Sequence, residues 1–148
     1  TEAALTGQAR KGVAEDLSNS ATLQNDNDLA INLTPNKTYL VQGILFVSTT
    51  EIDRNYFKIG FSFPAGAEAD LGYITSQGDS GVLQASGQES DIISWGSGSG
   101  ELLPIQIVGT IKTIGAGGNL TVQWAQGLTN ASATTSVRRG SFLRIEDI

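Results

Sequence analysis

Along most of this chain, apolar and polar residues alternate with a period of two, the period of a half-buried β-strand. In "LTVQWAQ", residues 120–126, Leu120, Val122 and Trp124 share one face and Thr121, Gln123 and Ala125 the other. In "NYFKIGFSFPAGA", Phe57, Ile59, Phe61 and Phe63 point inward, and Pro64 stops the strand. "LAINL" at 29–33 and "LLPIQIVGTIKTI" from 102 read the same way, the latter grouping Ile105, Ile107 and Ile111. The longest apolar run, "KTYLVQGILFVSTT", has two apolar faces: Tyr39, Val41, Leu45 and Val47 on one, Leu40, Ile44 and Phe46 on the other. A strand of that kind is expected to be covered on both sides, and one cover could be another subunit.

Turn signals separate these runs. "NDND" at 25–28, Pro35-Asn36 and Gly78-Asp79 read as turns, and "GAGG" at 115–118 as a hairpin turn into residues 119–126. "DLGYIT", "GVLQAS" and "DIISW" are short strands, "GSGSG" at 96–100 is a flexible loop, and "VRRGSFLRIEDI" closes the chain with Leu143 and Ile145 turned to the core. The pattern predicts about eight to ten strands at a spacing of ~8–12 residues, an all-β, antiparallel β-sandwich of jelly-roll-like topology.

The first residues differ. "TEAALTGQARKGVAEDLS" is Ala-rich, mixed in charge and lacks aromatics. It predicts a short extended or partly helical N-terminal arm over 1–21, with a short helix near Val13 to Leu17, ahead of a β-domain over 22–148. An arm of this kind is either a disordered terminus or a segment that orders on another subunit.

Composition narrows the chemistry. The chain has 148 residues, 18 of them Gly, only 16% charged, with a net charge of −6, which favours short strands and tight turns. No basic stripe exists, so nucleic acid is not an expected partner. No apolar run approaches the ~20 residues of a membrane helix, and no membrane partner is expected. There is no Cys and no His, which removes thiolate chemistry, the commonest general base and the commonest zinc ligand.

Three stretches, "LQNDNDLAINLTPNKTYLVQGILFV", "FKIGFSFPAGA" and "LTVQWAQGLTNASATTSVRRGSFLRIEDI", together resemble a β-structured module of tailed-bacteriophage virion proteins. The motifs that carry the resemblance are Asn25 to Asp28, Pro64 to Gly66, Trp124 to Gln126, the Ser/Thr-rich Ala131 to Thr135, and Arg139 to Arg144. Over residues 22–148 it implies a non-enzymatic, trimeric virion component without a cofactor. The first expectation is a capsid decoration (cement) protein at the virion surface, a homotrimer bound to the major capsid protein or other virion proteins. The alternative is the C-terminal module of a head or tail fibre that binds a host-surface glycan. A glycan-cleaving enzyme is the third reading.

Trp124, with Gln123 and Gln126, is either core or subunit interface, where Trp is enriched, or a sugar platform. The basic residues Arg10, Lys11, Arg138 and Arg139 are either solvated surface or a patch for an acidic capsid partner; with Val13 and Leu17 of the arm they complete the candidate interface. The "NDND" run has oxygen ligands but not the alternate spacing and distal bidentate Glu of a calcium loop, so no metal is expected there. Glu68, Asp70, Asp79, Glu89 and Asp91 could supply a carboxylate pair for glycoside cleavage, the weakest reading. Four Asn-x-Ser/Thr sequons, at Asn32, Asn36, Asn119 and Asn130, matter only in a eukaryotic secretory setting.

Overall fold

A computed structural model describes residues 5–50, 56–75, 80–84, 91–94 and 102–148. Among these residues there are twelve strands and no helix. They are β1 (Leu5–Arg10), β2 (Glu15–Leu17), β3 (Gln24–Leu33), β4 (Thr38–Thr49), β5 (Tyr56–Ser62), β6 (Glu68–Thr75), β7 (Ser80–Gln84), β8 (Asp91–Ser94), β9 (Leu103–Lys112), β10 (Gly118–Gln126), β11 (Thr135–Val137) and β12 (Phe142–Asp147).

They form two antiparallel sheets. The larger, of eight strands, runs β1-β12-β4-β9-β6-β7, with β11 pairing both β4 and β2. The smaller runs β3-β10-β5-β8. One shared apolar core joins them, drawing Tyr39, Val41, Leu45 and Val47 from β4, Ile105, Ile107 and Ile111 from β9, Leu143 and Ile145 from β12, and Phe57, Ile59, Leu120, Val122 and Trp124 from the smaller sheet. The alternation read along the chain therefore names the inward faces correctly.

Three expectations need correcting. The short helix near Val13 to Leu17 does not form: Glu15–Leu17 is strand, paired with β11, and Leu5–Arg10 is the edge strand beside β12. The thin apolar face that made a helix marginal suits an edge strand, whose hydrogen bonds come from a neighbour. "GAGG" is not a hairpin turn, because β9 and β10 lie in different sheets; the segment carries the chain from one sheet to the other. "NDND" lies inside β3 rather than between strands. Opposite it the β3–β10 register shifts between Thr121 and Gln123, so the extra β3 residues form an irregularity in which Asp26 turns inward.

Other turns match. Ala67 N donates to Pro64 O across the Pro-Ala-Gly turn, and Gly66 takes φ +75°, the left-handed region that a side chain disfavours. β6 and β7 pair antiparallel; the expected turn at Gly78-Asp79, like "GSGSG" and Glu89, lies outside the described residues.

Gly109 sits mid-β9 between Val41 of β4 and Leu71 of β6. A Cβ there would fall inside the backbone oxygen of Asp70 and 2.8 Å from Leu71 Cα. Gly109→Ala is expected to push β6 from β9 and to lower stability by about 1–3 kcal/mol, measured by urea denaturation. An unchanged midpoint would mean that the two strands separate without loss.

Candidate functional site

The arm segment delivers a lysine into the protein. Past β1 the backbone stays docked: Lys11 N donates to Ser141 O, and Gly140 N donates to Lys11 O. This continues the β1–β12 ladder and turns the Lys11 side chain inward, where it is fully buried. Its Nζ donates to Glu15 Oε1 at 2.9 Å, Asp26 Oδ1 at 3.0 Å and Asp28 Oδ2 at 3.0 Å. The Asp26 side chain is fully buried too, Glu15 nearly so, and Asp28 is more than a third exposed.

Asp26 is the hub. Its Oδ1 also accepts from Asp28 N and Leu29 N, both at 2.9 Å, and its Oδ2 accepts from Trp124 Nε1 at 3.0 Å. The local side-chain-to-backbone bonding expected of "NDND" is present, but within a strand and around a charge. Glu15 is fixed in turn by Gln24 Nε2 and Asn27 N. The cation that these three carboxylates surround is the chain's own ammonium. Burying an ion costs several kcal/mol unless it is paired and hydrogen-bonded, and here both ions of the central pair are.

Burial works against the Lys11 charge. The hydrogen bonds that Lys11 donates to Glu15, Asp26 and Asp28, with the Coulombic pull of Asp26, outweigh it and set the pKa above the ordinary 10.5. A folded-state pKa above the unfolded one makes the contribution of the ion pair complete below pH 10.5, and it is lost as pH rises through the folded value. Denaturant midpoints of the ion-paired chain and of Lys11→Met are therefore expected to converge only at pH above 10.5; a constant gap across that range would deny the linkage.

Of the candidate interface residues, three are internal. Lys11 is as described. Trp124 is fully buried and stacks on Phe57 with centroids 5.9 Å apart, so it is core, neither an interface residue nor a sugar platform. Gln126 is 1% exposed. Its Oε1 accepts from Ser20 N and Asn130 N, and its Nε2 donates to Asn130 O and Ala133 O, so it holds the Ser/Thr-rich loop against the start of β3. A side chain whose donors and acceptors are all engaged within the chain has nothing left for a partner. Leu17 packs on the core and Gln123 bonds Asn25.

The others are at the surface. Val13 is 71% exposed. Arg10 and Arg139 line one open groove with Gly12 and Gly140, and Arg138 and Arg139 line a second with Ala14, Phe46 and Leu102. The fold thus gathers basic residues from the two ends of the sequence onto one edge. Glu68 and Asp70 lie on the exposed side of β6.

Beside that edge lies the outer face of the larger sheet. The second apolar face of β4 emerges there, with Leu40, Ile44 and Phe46 only half-buried. In register beside Ile44 stand Phe142 of β12 and Gln106 of β9, and Gln106 in turn faces Ile74; Phe46 faces Pro104. Ile74, Leu102 and Val108 are 51%, 46% and 37% exposed. Exposed apolar side chains gathered on one sheet face mark an interaction surface.

No protein-family model matches this chain, and no curated protein sequence matches it significantly.

Proposed function

We propose that this chain is a structural component of a tailed-bacteriophage virion, a jelly-roll module that decorates and stabilises the capsid surface as a homotrimer and acts by binding. The observation that carries the reading is the apolar outer face of the larger sheet, flanked by Arg10, Arg138 and Arg139. Its physical sense is an association surface: apolar area to bury against another subunit, and a basic rim for an acidic shell. The strand orders support the jelly-roll part. Taken from β3 to β10, the eight strands divide as β3-β10-β5-β8 and β4-β9-β6-β7, the interleaved arrangement of two Greek keys found in viral capsid domains. The motif resemblance in residues 22–148 supplies the virion setting.

Two measurements test it. Quantitative mass spectrometry of purified virions should find this chain at a copy number on the scale of the capsid lattice; a few copies per particle would instead indicate a fibre module, and absence would end the virion reading. Light scattering of the isolated chain should give three times its 15.5 kDa. Val108→Glu, a charge placed in the outer face, is expected to convert trimer to monomer while the far-ultraviolet spectrum is unchanged. Burial of each large aliphatic side chain contributes roughly 1.5–3 kcal/mol, so one charge in the patch suffices. A trimer that survives the substitution would put the subunit contact elsewhere.

A further inference from the structure

The Lys11–Asp26 pair has the parts of a self-condensing site, and we propose that these two side chains join in an intramolecular amide bond. The inference is independent of the virion reading. It rests on three features of the cluster. A primary amine and a carboxyl group, both fully buried, are held at 3.0 Å with no water-exposed surface between them. A second carboxylate, Glu15 Oε1, touches the same nitrogen at 2.9 Å. Three N–H donors, from Asp28 N, Leu29 N and Trp124 Nε1, already point at the Asp26 carboxyl oxygens.

Each feature has a role. Enclosure by the fold replaces a dilute encounter with a held one, and intramolecular reactions gain effective concentrations of ~10⁵ M or more when well oriented. Within the pair, a proton moves from the Lys11 ammonium to the Asp26 carboxylate, leaving a neutral amine and a carboxylic acid; the charge of the cluster does not change. Nζ then adds to Cγ. The negative charge that develops on Oδ1 meets the amide donors of Asp28 and Leu29, which are already in place. Glu15 takes the second proton from Nζ and passes it on to the departing oxygen, the proton-transfer role that its position allows. The C–O bond to Oδ2, the oxygen held by Trp124, breaks, and water leaves.

The balance is complete: the three hydrogens of the ammonium end as one amide N–H and the two of water, both carboxyl oxygens are accounted for, and no oxidant or reductant is required. Glu15 Oε1 is left facing the new amide N–H. The bond would tie the segment after β1, in the larger sheet, to β3 in the smaller one.

The intact mass of the folded chain, purified and held at neutral pH, is expected to be one water below the sequence mass. Digestion with a lysine-specific protease should leave Lys11 uncut, in a branched peptide that also contains Asp26. Glu15→Gln keeps the shape of the side chain and removes the proton carrier; it is expected to give a folded chain at full mass. Denaturing the condensed chain should leave its mass one water low, because an amide bond outlasts the fold. A folded wild-type chain that retains its full mass after prolonged incubation would overturn the proposal and leave an ordinary ion-pair cluster. A water loss that maps to any other residue would overturn it as well.

Discussion

Relative to the ion-paired chain, Lys11→Ala is expected to destabilise the protein by about 3–5 kcal/mol, the cost of leaving a buried charge without its partner. The loss arises at Asp26 more than at Lys11. Asp26 is fully enclosed and its oxygens accept from Asp28 N, Leu29 N and Trp124 Nε1, so the carboxylate is held in place when the ammonium goes. Glu15 and Asp28 add their own negative charge to the vacated space, although Asp28 reaches solvent. In a urea titration this appears as a lower midpoint at unchanged slope. Asp26→Asn introduced into the Lys11→Ala chain should recover part of the loss, because it removes the orphaned charge and keeps an oxygen for the backbone donors. A double-mutant cycle then measures the coupling directly. Additive single losses would mean that the two residues do not act as a unit.

Removal of Lys11 also bears on the role of the N-terminal segment. Residues 5–17 are hydrogen-bonded into the larger sheet, and Lys11 reaches the core from them. Truncation through residue 18 would thus strip β1, β2 and the ion pair together. Loss of partner binding in such a truncated chain would report damage to the fold, whereas substitution of the exposed Arg10 and Arg139 reports on the surface itself.

Trp124→Ala is expected to lower stability by about 3–5 kcal/mol through the cavity it leaves. Among the described residues the ring is the largest fully buried side chain, and it stacks on Phe57 at an interplanar angle of 22°. Trp124→Phe separates the two contributions. It fills most of the space but withdraws the Nε1 donor from Asp26, which should cost about 1–3 kcal/mol for the unsatisfied acceptor. Denaturant titration of both variants gives the comparison. Equal losses in the two would assign the whole effect to the hydrogen bond; no loss in the Phe variant would show that Asp26 is satisfied without it.

The strands were legible in the sequence where one face meets the core and the other does not. Phe57, Ile59, Leu120, Val122, Ile105 and Ile107 declare themselves by alternation, because burial on one side imposes a period of two. β4 carries apolar residues on both faces: the inner one meets the core, while the outer one, expected to be covered, is half-open in the single chain. What alternation does not carry is the identity of the neighbour. "GAGG" has hairpin chemistry, yet it connects two sheets, since the pairing of β10 with β3 and β5 is decided by residues far along the chain.

The Lys11 cluster was the least legible part. Its members stand 4, 15 and 17 residues from Lys11, and Trp124 stands 98 from Asp26, so no window of sequence holds them together. In the sequence Lys11 reads only as a basic residue of the candidate interface, Asp26 and Asp28 only as parts of a turn, and Glu15 carries no signal of its own.

The pairing of β1 with β12 also decides how the molecule answers to tension. Leu5 lies opposite Glu146 and Arg10 opposite Phe142, so the start of β1 and the finish of β12 sit at the same end of one ladder. A pull between them loads the rungs singly, as a zipper is opened, and this is the weak direction for a pair of strands. The opening would run only as far as Lys11. There the load passes out of the ladder and into the other sheet through Asp26, and the next step requires the core itself to yield.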